Sequence, residues 1–183
     1  METIMKREQK LRFTISEMQL EDIEPATAMR LQSWLDTYVN EDLGVTADWI
    51  EKRNRMQLSE ELKTSRRERF IKRKQSGILH AWVAKDADGK IIGSTTPFRD
   101  EDGTWQLGSL YVDKTWHGTG VGSELMRKVV DTLRGQDIYL GVVSYNERAK
   151  AFYRKWGFEV IPDSESLFDN KMPEIRMVRR EKK

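Results

Sequence analysis

The sequence predicts an α/β protein, a mixed sheet with helices on its faces. Three observations carry this. Short runs with strand texture (LRFTISEM, ILHAWVAK, KIIGSTTPF, TWQLGSLYV, DIYLGVVS) are interleaved with stretches whose apolar residues recur at helical spacing. The run TWQLGSLYV leads within a few residues into three glycines on alternate positions, Gly118, Gly120 and Gly122, and then into a helix. No repeat, low-complexity tract or Pro/Gly/Ser linker interrupts the chain, so residues 1–183 read as a single domain, with the charged ends 1–10 and 180–183 expected to fray.

LRFTISEM alternates well enough for a first strand. Acidic residues and Pro25 then open a helix, PATAMRLQSWLDTY, with Met29, Trp34, Leu35 and Tyr38 toward the core. VNEDLG ends it, Gly44 supplying the turn, and Thr46 can cap a second helix from Trp49 onward. Ser59, before Glu60 and Glu61, is a further cap within the same charged region. After Gly77, ILHAWVAK and KIIGSTTPF form a hairpin about the turn DADG, and RDEDG connects to TWQLGSLYV. VGSELMRKVVDTLRG is a helix with Val121, Leu125, Val129 and Leu133 on one stripe and Gly135 as its stop. DIYLGVVS is a strand, and NERAKAFYRKWG is a short helix with Ala149, Phe152, Tyr153 and Trp156 together. FEVIPDS and EIRMVRR are two closing strands. The expected order is β α α β β β α β α β β.

Composition excludes several classes. Charged residues make up 34% and apolar residues 38% of the 183, and the net charge of +2 is too balanced to argue for nucleic acid or a membrane surface. Cysteine is absent, which removes disulfides, thiolate metal sites and a cysteine acyl-enzyme; no metal site is expected. No run approaches the roughly 18 apolar residues of a membrane span. METIMKREQKLRF has neither the apolar core nor the small-residue cleavage site of a secretory signal, so the expected location is cytoplasmic.

A strand, a glycine-rich turn and a helix N-terminus make a ready anion site, because free N–H groups point outward and glycine lets a phosphate approach without a Cβ in the way. The other reading is a helix-entry loop with spare glycines. A P-loop is excluded, since no Gly-Lys-Ser/Thr occurs, and a dinucleotide fingerprint fails at Ser123 or Leu125.

His-Gly-Thr-Gly-Val-Gly at 117–122 resembles the (Arg/Gln)-x-x-Gly-x-(Gly/Ala) loop of the GNAT acetyltransferase superfamily. The preceding Leu110, Tyr111 and Val112 are similar to the end of that family's fourth strand. Asn146, Ala149, Phe152, Tyr153, Gly157 and Phe158 resemble its second motif. The likeness runs from about Phe13 to Arg179, with its specific part at 107–158, and the element order agrees. It implies the GNAT acyl-CoA N-acyltransferase fold, a central, mostly antiparallel sheet whose fourth and fifth strands splay apart.

It also implies acetyl-CoA as cofactor, with the diphosphate held by His117, Gly118, Thr119, Gly120, Val121, Gly122 and Ser123. Leu110, Tyr111 and Val112 would lie along the pantetheine arm, and Asn146 and Tyr153 would touch the coenzyme as well. The departure is His117, where Arg or Gln is usual; histidine carries little charge at neutral pH. Trp116 reads as a surface residue.

With no cysteine, direct attack of an amine on the thioester is the natural mechanism. The resemblance makes Tyr153 the general acid and the Leu110 N–H the oxyanion donor; on pattern alone Tyr153 reads as a core residue and Asn146 as an N-cap. Gly108 inside the strand marks a bulge, a close approach or a poorly packed position, and Gly141 in the facing strand shares the opening. The base is unassigned: Gln106, Gly108 and Gly141 stand where relatives carry glutamate, which leaves a water held by backbone or Ser109, or an amine that binds neutral. His80 is a remote candidate.

The acceptor is expected over the first two helices. There Trp34, Tyr38 and Trp49 can wall in a cationic amine, and Asp36, Glu41, Asp42 and Asp48 can attract it, unless these acids merely favour helix starts. The likeness to bacterial polyamine acetyltransferases makes a polyamine or other small amine the first expectation. The alternatives are a protein N-terminal or lysine acetyltransferase and a non-catalytic acyl-CoA-binding module. KTSRRERFIKRK is either a solvated helix face or a contact for coenzyme phosphate, nucleic acid or a partner. The chain is expected to act as a monomer or homodimer, with no nucleic-acid or membrane partner.

Overall fold

The computed structural model describes residues 13–181. The elements run β1 (Thr14–Glu17), α1 (Ile23–Tyr38), α2 (Ala47–Gln57), α3 (Glu60–Gln75), β2 (Trp82–Lys85), β3 (Ile91–Arg99), β4 (Trp105–Val112), α4 (Val121–Thr132), β5 (Ile138–Val143), α5 (Glu147–Lys155), β6 (Glu159–Val160), β7 (Ser166–Phe168) and β8 (Met172–Arg179). The expected end at 1–10 lies outside the described residues; at the other end, the Glu181 amide donates to Asp137 Oδ1 at 2.9 Å.

The order differs from expectation twice. The charged stretch after Gly44 holds two helices rather than one. Thr46 Oγ1 accepts the Trp49 N–H at 3.1 Å to start α2, and Ser59 Oγ accepts the Leu62 N–H at 3.4 Å to start α3. The tail holds three strands rather than two, because Asp169 and Asn170 both adopt left-handed backbone (φ 50° and 53°) and fold β7 back on β8 as a hairpin.

The sheet order is β1-β2-β3-β4-β5-β8-β6, with β7 also on β8. Every pairing is antiparallel except β4–β5, which is parallel and registers only at Trp105↔Ile138 and Gln106↔Tyr139. Beyond Gln106 the two strands part. The cause lies on the other side of β4. Between Thr95↔Leu110 and Pro97↔Leu107, three steps of β4 face two of β3, a bulge around Gly108 and Ser109. Thr95 Oγ1 pins it by donating to the Ser109 carbonyl at 2.8 Å. β5 keeps its ladder with β8 from Ile138 to Val143, so it cannot follow β4.

Gly108 is required by a side chain. A Cβ there would sit 2.7 Å from the Phe98 ring and 3.0 Å from the Thr96 carbonyl oxygen. Gly108→Ala is therefore expected to destabilise the fold by about 1–3 kcal/mol through overpacking, read as a fall in melting temperature.

Alternation divides the buried residues between the two faces. Trp82, Ala84, Leu107, Leu140 and Val142 join Val121, Leu125 and Val129 of α4 and Tyr153 of α5 in the largest cluster. On the opposite face Ala81 and Val83 pack with Ile23 and Ala26 of α1, and Val143 packs with Trp34, Ile50 and Met172. β2 and β5 are thus covered on both sides, and α1 and α2 roof the sheet where β4 and β5 separate.

Candidate active site

The splay opens a cleft of about 510 Å³. Its walls are Leu107–Val112 of β4, Gly141 and Val142 of β5, the loop before α4, the Asn146–Tyr153 face of α5, and Ser33, Thr37 and Tyr38 of α1.

The loop is built by local rules. Asp113 Oδ1 accepts the Thr115 N–H at 2.9 Å and starts a short turn, Lys114–Trp116. Gly118 and Gly120 then take φ of 78° and 101°, where a side chain would be strained. Gly120 also caps α4 without offering a side chain. The amides of Val121, Gly122 and Ser123 consequently have no acceptor among the described residues. Gly122 has ordinary space for a methyl, its nearest neighbours being Val112 Cγ2 at 3.6 Å and Phe152 at 3.7 Å, yet it lines the cleft. Two of the three glycines thus serve the turn, and the third keeps the cleft clear.

His117, Gly118, Gly120, Gly122 and Ser123 line the cleft; Thr119 and Val121 are buried side chains that can offer main chain only. Trp116 also lines the cleft and meets Phe13 edge to face at 6.4 Å, so it is more than a surface residue.

The His117 ring points away from any anion role. Its Nε2 hydrogen-bonds the Val112 carbonyl at 3.1 Å, and Nδ1 is left to accept from the Arg148 guanidinium. Burial, and then the Arg148 charge, hold its pKa below the usual histidine value, so the ring is neutral and its two nitrogens are both engaged. The cation at this end of the cleft is Arg148 of α5. Sequence reasoning missed it, although it sits inside the Asn146–Phe158 motif, in a slot that the pattern leaves open.

Two measurements check the pair. A folded pKa below the unfolded one means that the unfolded chain takes up the proton first, so stability should fall as pH drops below the ordinary histidine range. His117→Gln should show a smaller fall in melting temperature between neutral and mildly acidic pH. Arg148→Ala should weaken acetyl-CoA binding about tenfold, the weight of one charge-assisted contact.

Tyr153 is 9% exposed, lines the cleft and packs on Phe152 and Phe158 at centroid distances of 5.6 and 5.7 Å. Burial pushes its pKa well above the ordinary tyrosine value, so the phenol keeps its proton. Asn146 Oδ1 caps α5 by accepting the Ala149 N–H at 3.1 Å, and Asn146 also lines the cleft, so it can serve both roles. Leu110, Tyr111 and Val112 lie on the stretch of β4 that has left β5, where main-chain groups on that edge have no strand partner.

On the acceptor side the structure separates the predicted residues. Trp34 is buried; its Nε1–H donates to the Tyr111 hydroxyl at 2.9 Å, and it supports the wall rather than lining it. Tyr38 does line the cleft. Its hydroxyl lies 3.3 Å from that of Tyr111, and its carbonyl accepts from Tyr145 Oη at 2.8 Å. Glu41 and Asp42 are exposed in a short turn outside the cleft, because Asn40 caps that turn and bridges to Val45, directing it to the surface. Asp36 is bound to Lys114 at 2.8 Å. Neither Asp48 nor Trp49 lines the cleft.

His80 packs between Trp82 and Trp105, away from the cleft. The basic stretch lies on α3, where Arg66 pairs with Glu24 at 2.6 Å, Lys74 with Glu17 at 3.2 Å, and Arg73 covers the Phe98 ring; none of it lines the cleft.

The comparison with protein families places this strand-bulge-loop-helix unit. Residues 45–158 match the acetyltransferase (GNAT) family, and the chain belongs to it. An uncharacterized N-acetyltransferase of Mycobacterium tuberculosis is 38% identical over 76 residues, 40% of this chain and 49% of that protein. The chain thus spans about half the length of that curated relative. The N-alpha-acetyltransferase RimI of the same species is 35% identical over 68 residues, 37% of this chain and 40% of that protein.

Among solved structures, a GNAT-family acetyltransferase of Streptococcus pneumoniae superposes with a TM-score of 0.69 at 19% identity, covering 93% of this chain and 99% of that one. A phosphinothricin acetyltransferase of Sinorhizobium meliloti, in complex with acetyl-CoA, gives 0.66 at 17% identity, covering 92% and 88%. Both share the fold.

Proposed function

We propose that the protein transfers acetyl from acetyl-CoA directly to a primary amine, with a small cationic amine, such as a polyamine, as acceptor. The observation that carries this is the continuity of one cleft, from the free amides at the start of α4, along the unpaired edge of β4, to Tyr153 and Tyr38. The residues fit the coenzyme. The amides of Val121–Ser123 and the Arg148 guanidinium suit a diphosphate, the glycines leave it room, and the bare edge of β4 suits an extended amide-bearing arm. The bound coenzyme supplies an activated thioester.

The chain's own residues then do three things. The Leu110 N–H is placed to stabilise charge on the acyl oxygen, the protonated Tyr153 phenol is placed to give a proton to the departing sulfur, and Tyr38 borders the amine's approach. The acids that suggested a polyamine lie outside the cleft, so the choice of a small cationic acceptor rests on the likeness to bacterial polyamine acetyltransferases. A second reading, acetylation of a protein N-terminus, is favoured by the similarity to RimI.

Calorimetric titration with acetyl-CoA, followed by a thiol-release assay on spermidine and on peptides with free N-termini, tests both. The chain has no cysteine, so every thiol detected is coenzyme A. Saturable binding with release on spermidine supports the reading. Release on peptides alone moves the acceptor to the second reading, and binding with no turnover of any amine leaves an acyl-CoA-binding module.

A further inference from the structure

We infer that Glu174 of β8 is the general base that β4 and β5 lack, an assignment that rests on the acetyltransferase reading above. The observation is geometric. A Cβ built on Gly141 would lie 3.1 Å from Glu174 Oε2 and 3.4 Å from Oε1. The carboxylate therefore stands over Gly141, a residue that itself lines the cleft.

Register explains the placement. Val143 pairs with Glu174 and Gly141 with Arg176, so all four share one face of the sheet, and Glu174 lies diagonally across from Gly141. That is the face roofed by α1 and α2, since Val143 packs with Trp34 and Ile50 there. The amine must approach from this side, because α4 and α5 occupy the other.

The neighbours leave the carboxylate available. Its one hydrogen bond among the described residues is from Ser166 Oγ at 3.4 Å to Oε1, which leaves Oε2, the oxygen nearer Gly141, uncommitted. Arg176, the nearest cation along the strand, gives its guanidinium to Gln106 Oε1 at 3.2 Å and lies over the Tyr139 ring instead of pairing with Glu174. Any side chain at 141 would push the carboxylate aside, so Gly141 and Glu174 form one device: the glycine vacates the position, and the neighbouring strand fills it with an acid.

In the reaction an alkylammonium gives one proton to the Glu174 carboxylate, directly or through one water, and Glu174 passes it to solvent. The freed nitrogen lone pair forms the C–N bond, and the C–S bond breaks with its electron pair going to sulfur. Sulfur takes its proton from the Tyr153 phenol, which recovers one from the second N–H of the attacking nitrogen. One proton is released overall and no oxidant or reductant is involved.

The test uses full-length protein, with spermidine and an Ala-initiated peptide as the acceptor probes and methoxyamine, already neutral at pH 7, as a base-independent acceptor. Glu174→Gln should lower kcat on the turned-over ammonium probe about 10²–10³-fold, with acetyl-CoA affinity and melting temperature unchanged and methoxyamine turnover largely retained. Glu174→Ala combined with Gly141→Glu, which returns a carboxylate to the same space from β5, should recover at least tenfold over Glu174→Ala.

A Glu174→Gln protein within threefold of wild-type kcat would overturn the assignment. So would a loss matched by lost coenzyme affinity, or one that strikes methoxyamine equally. If wild-type protein neither binds acetyl-CoA nor releases thiol, the acetyltransferase reading itself fails, a result distinct from any of these.

Discussion

Gly120→Glu is expected to abolish measurable acetyl-CoA binding, a loss of at least about 100-fold in affinity. Two effects combine there. The residue holds φ at 101°, where an L-residue costs about 1–2 kcal/mol, and the new carboxylate would stand at the amides that have no other acceptor. Strain alone would lower the melting temperature by several degrees, so a control is needed. Gly122→Ala supplies it, since a methyl there meets only ordinary contacts at 3.6 Å and beyond. Alanine is favoured over glycine in a helix by up to about 1 kcal/mol. That variant should therefore melt at or above the wild-type temperature while binding acetyl-CoA about tenfold more weakly. Unchanged affinity in both variants, measured by calorimetry, would remove the loop from the coenzyme site.

The second large effect is expected at Tyr153. Tyr153→Phe keeps the ring against Phe152 and Phe158 and removes only the hydroxyl, which makes no hydrogen bond to a described residue. Stability and acetyl-CoA affinity should therefore hold, while kcat falls about 10²–10³-fold, the usual weight of a general acid. The raised pKa has a further consequence: the phenol stays protonated across the working range, so Tyr153 itself should add no basic limb to the rate profile below its own elevated value. A Tyr153→Phe enzyme with wild-type kcat would return the residue to a packing role.

The two predictions differ in how far the sequence alone supports them. The loop was legible because its chemistry is local: glycine is strongly favoured where φ is positive, and Gly118 and Gly120 show this. The strand runs, the helix stripe Val121-Leu125-Val129-Leu133 and the caps at Thr46 and Ser59 were legible for the same reason. Pairing that local pattern with a family gave the residues of β4 and α5.

The acceptor side was not legible in this way. Glu41 and Asp42 are near the cleft in sequence terms, but a single capped turn directs them to the surface, and Trp34 turns its indole N–H to Tyr111. Nothing in the spacing of acids and aromatics along a helix says which of them a neighbouring strand will cover.

By itself the sequence determined the α/β class, the glycine-rich turn between a strand and a helix, and the absence of thiol chemistry, because each follows from backbone torsions, periodicity or composition that neighbours in the chain impose on one another. Only the tertiary structure decided that His117 spends its nitrogens on Val112 and Arg148, that Arg148 of α5 brings a cation to the cleft, and that a glutamate from β8 covers Gly141. The physical reason is register. These contacts join residues 31 positions apart in one case and 33 in the other, and the second exists only because β5 registers against β8 from Ile138 to Val143.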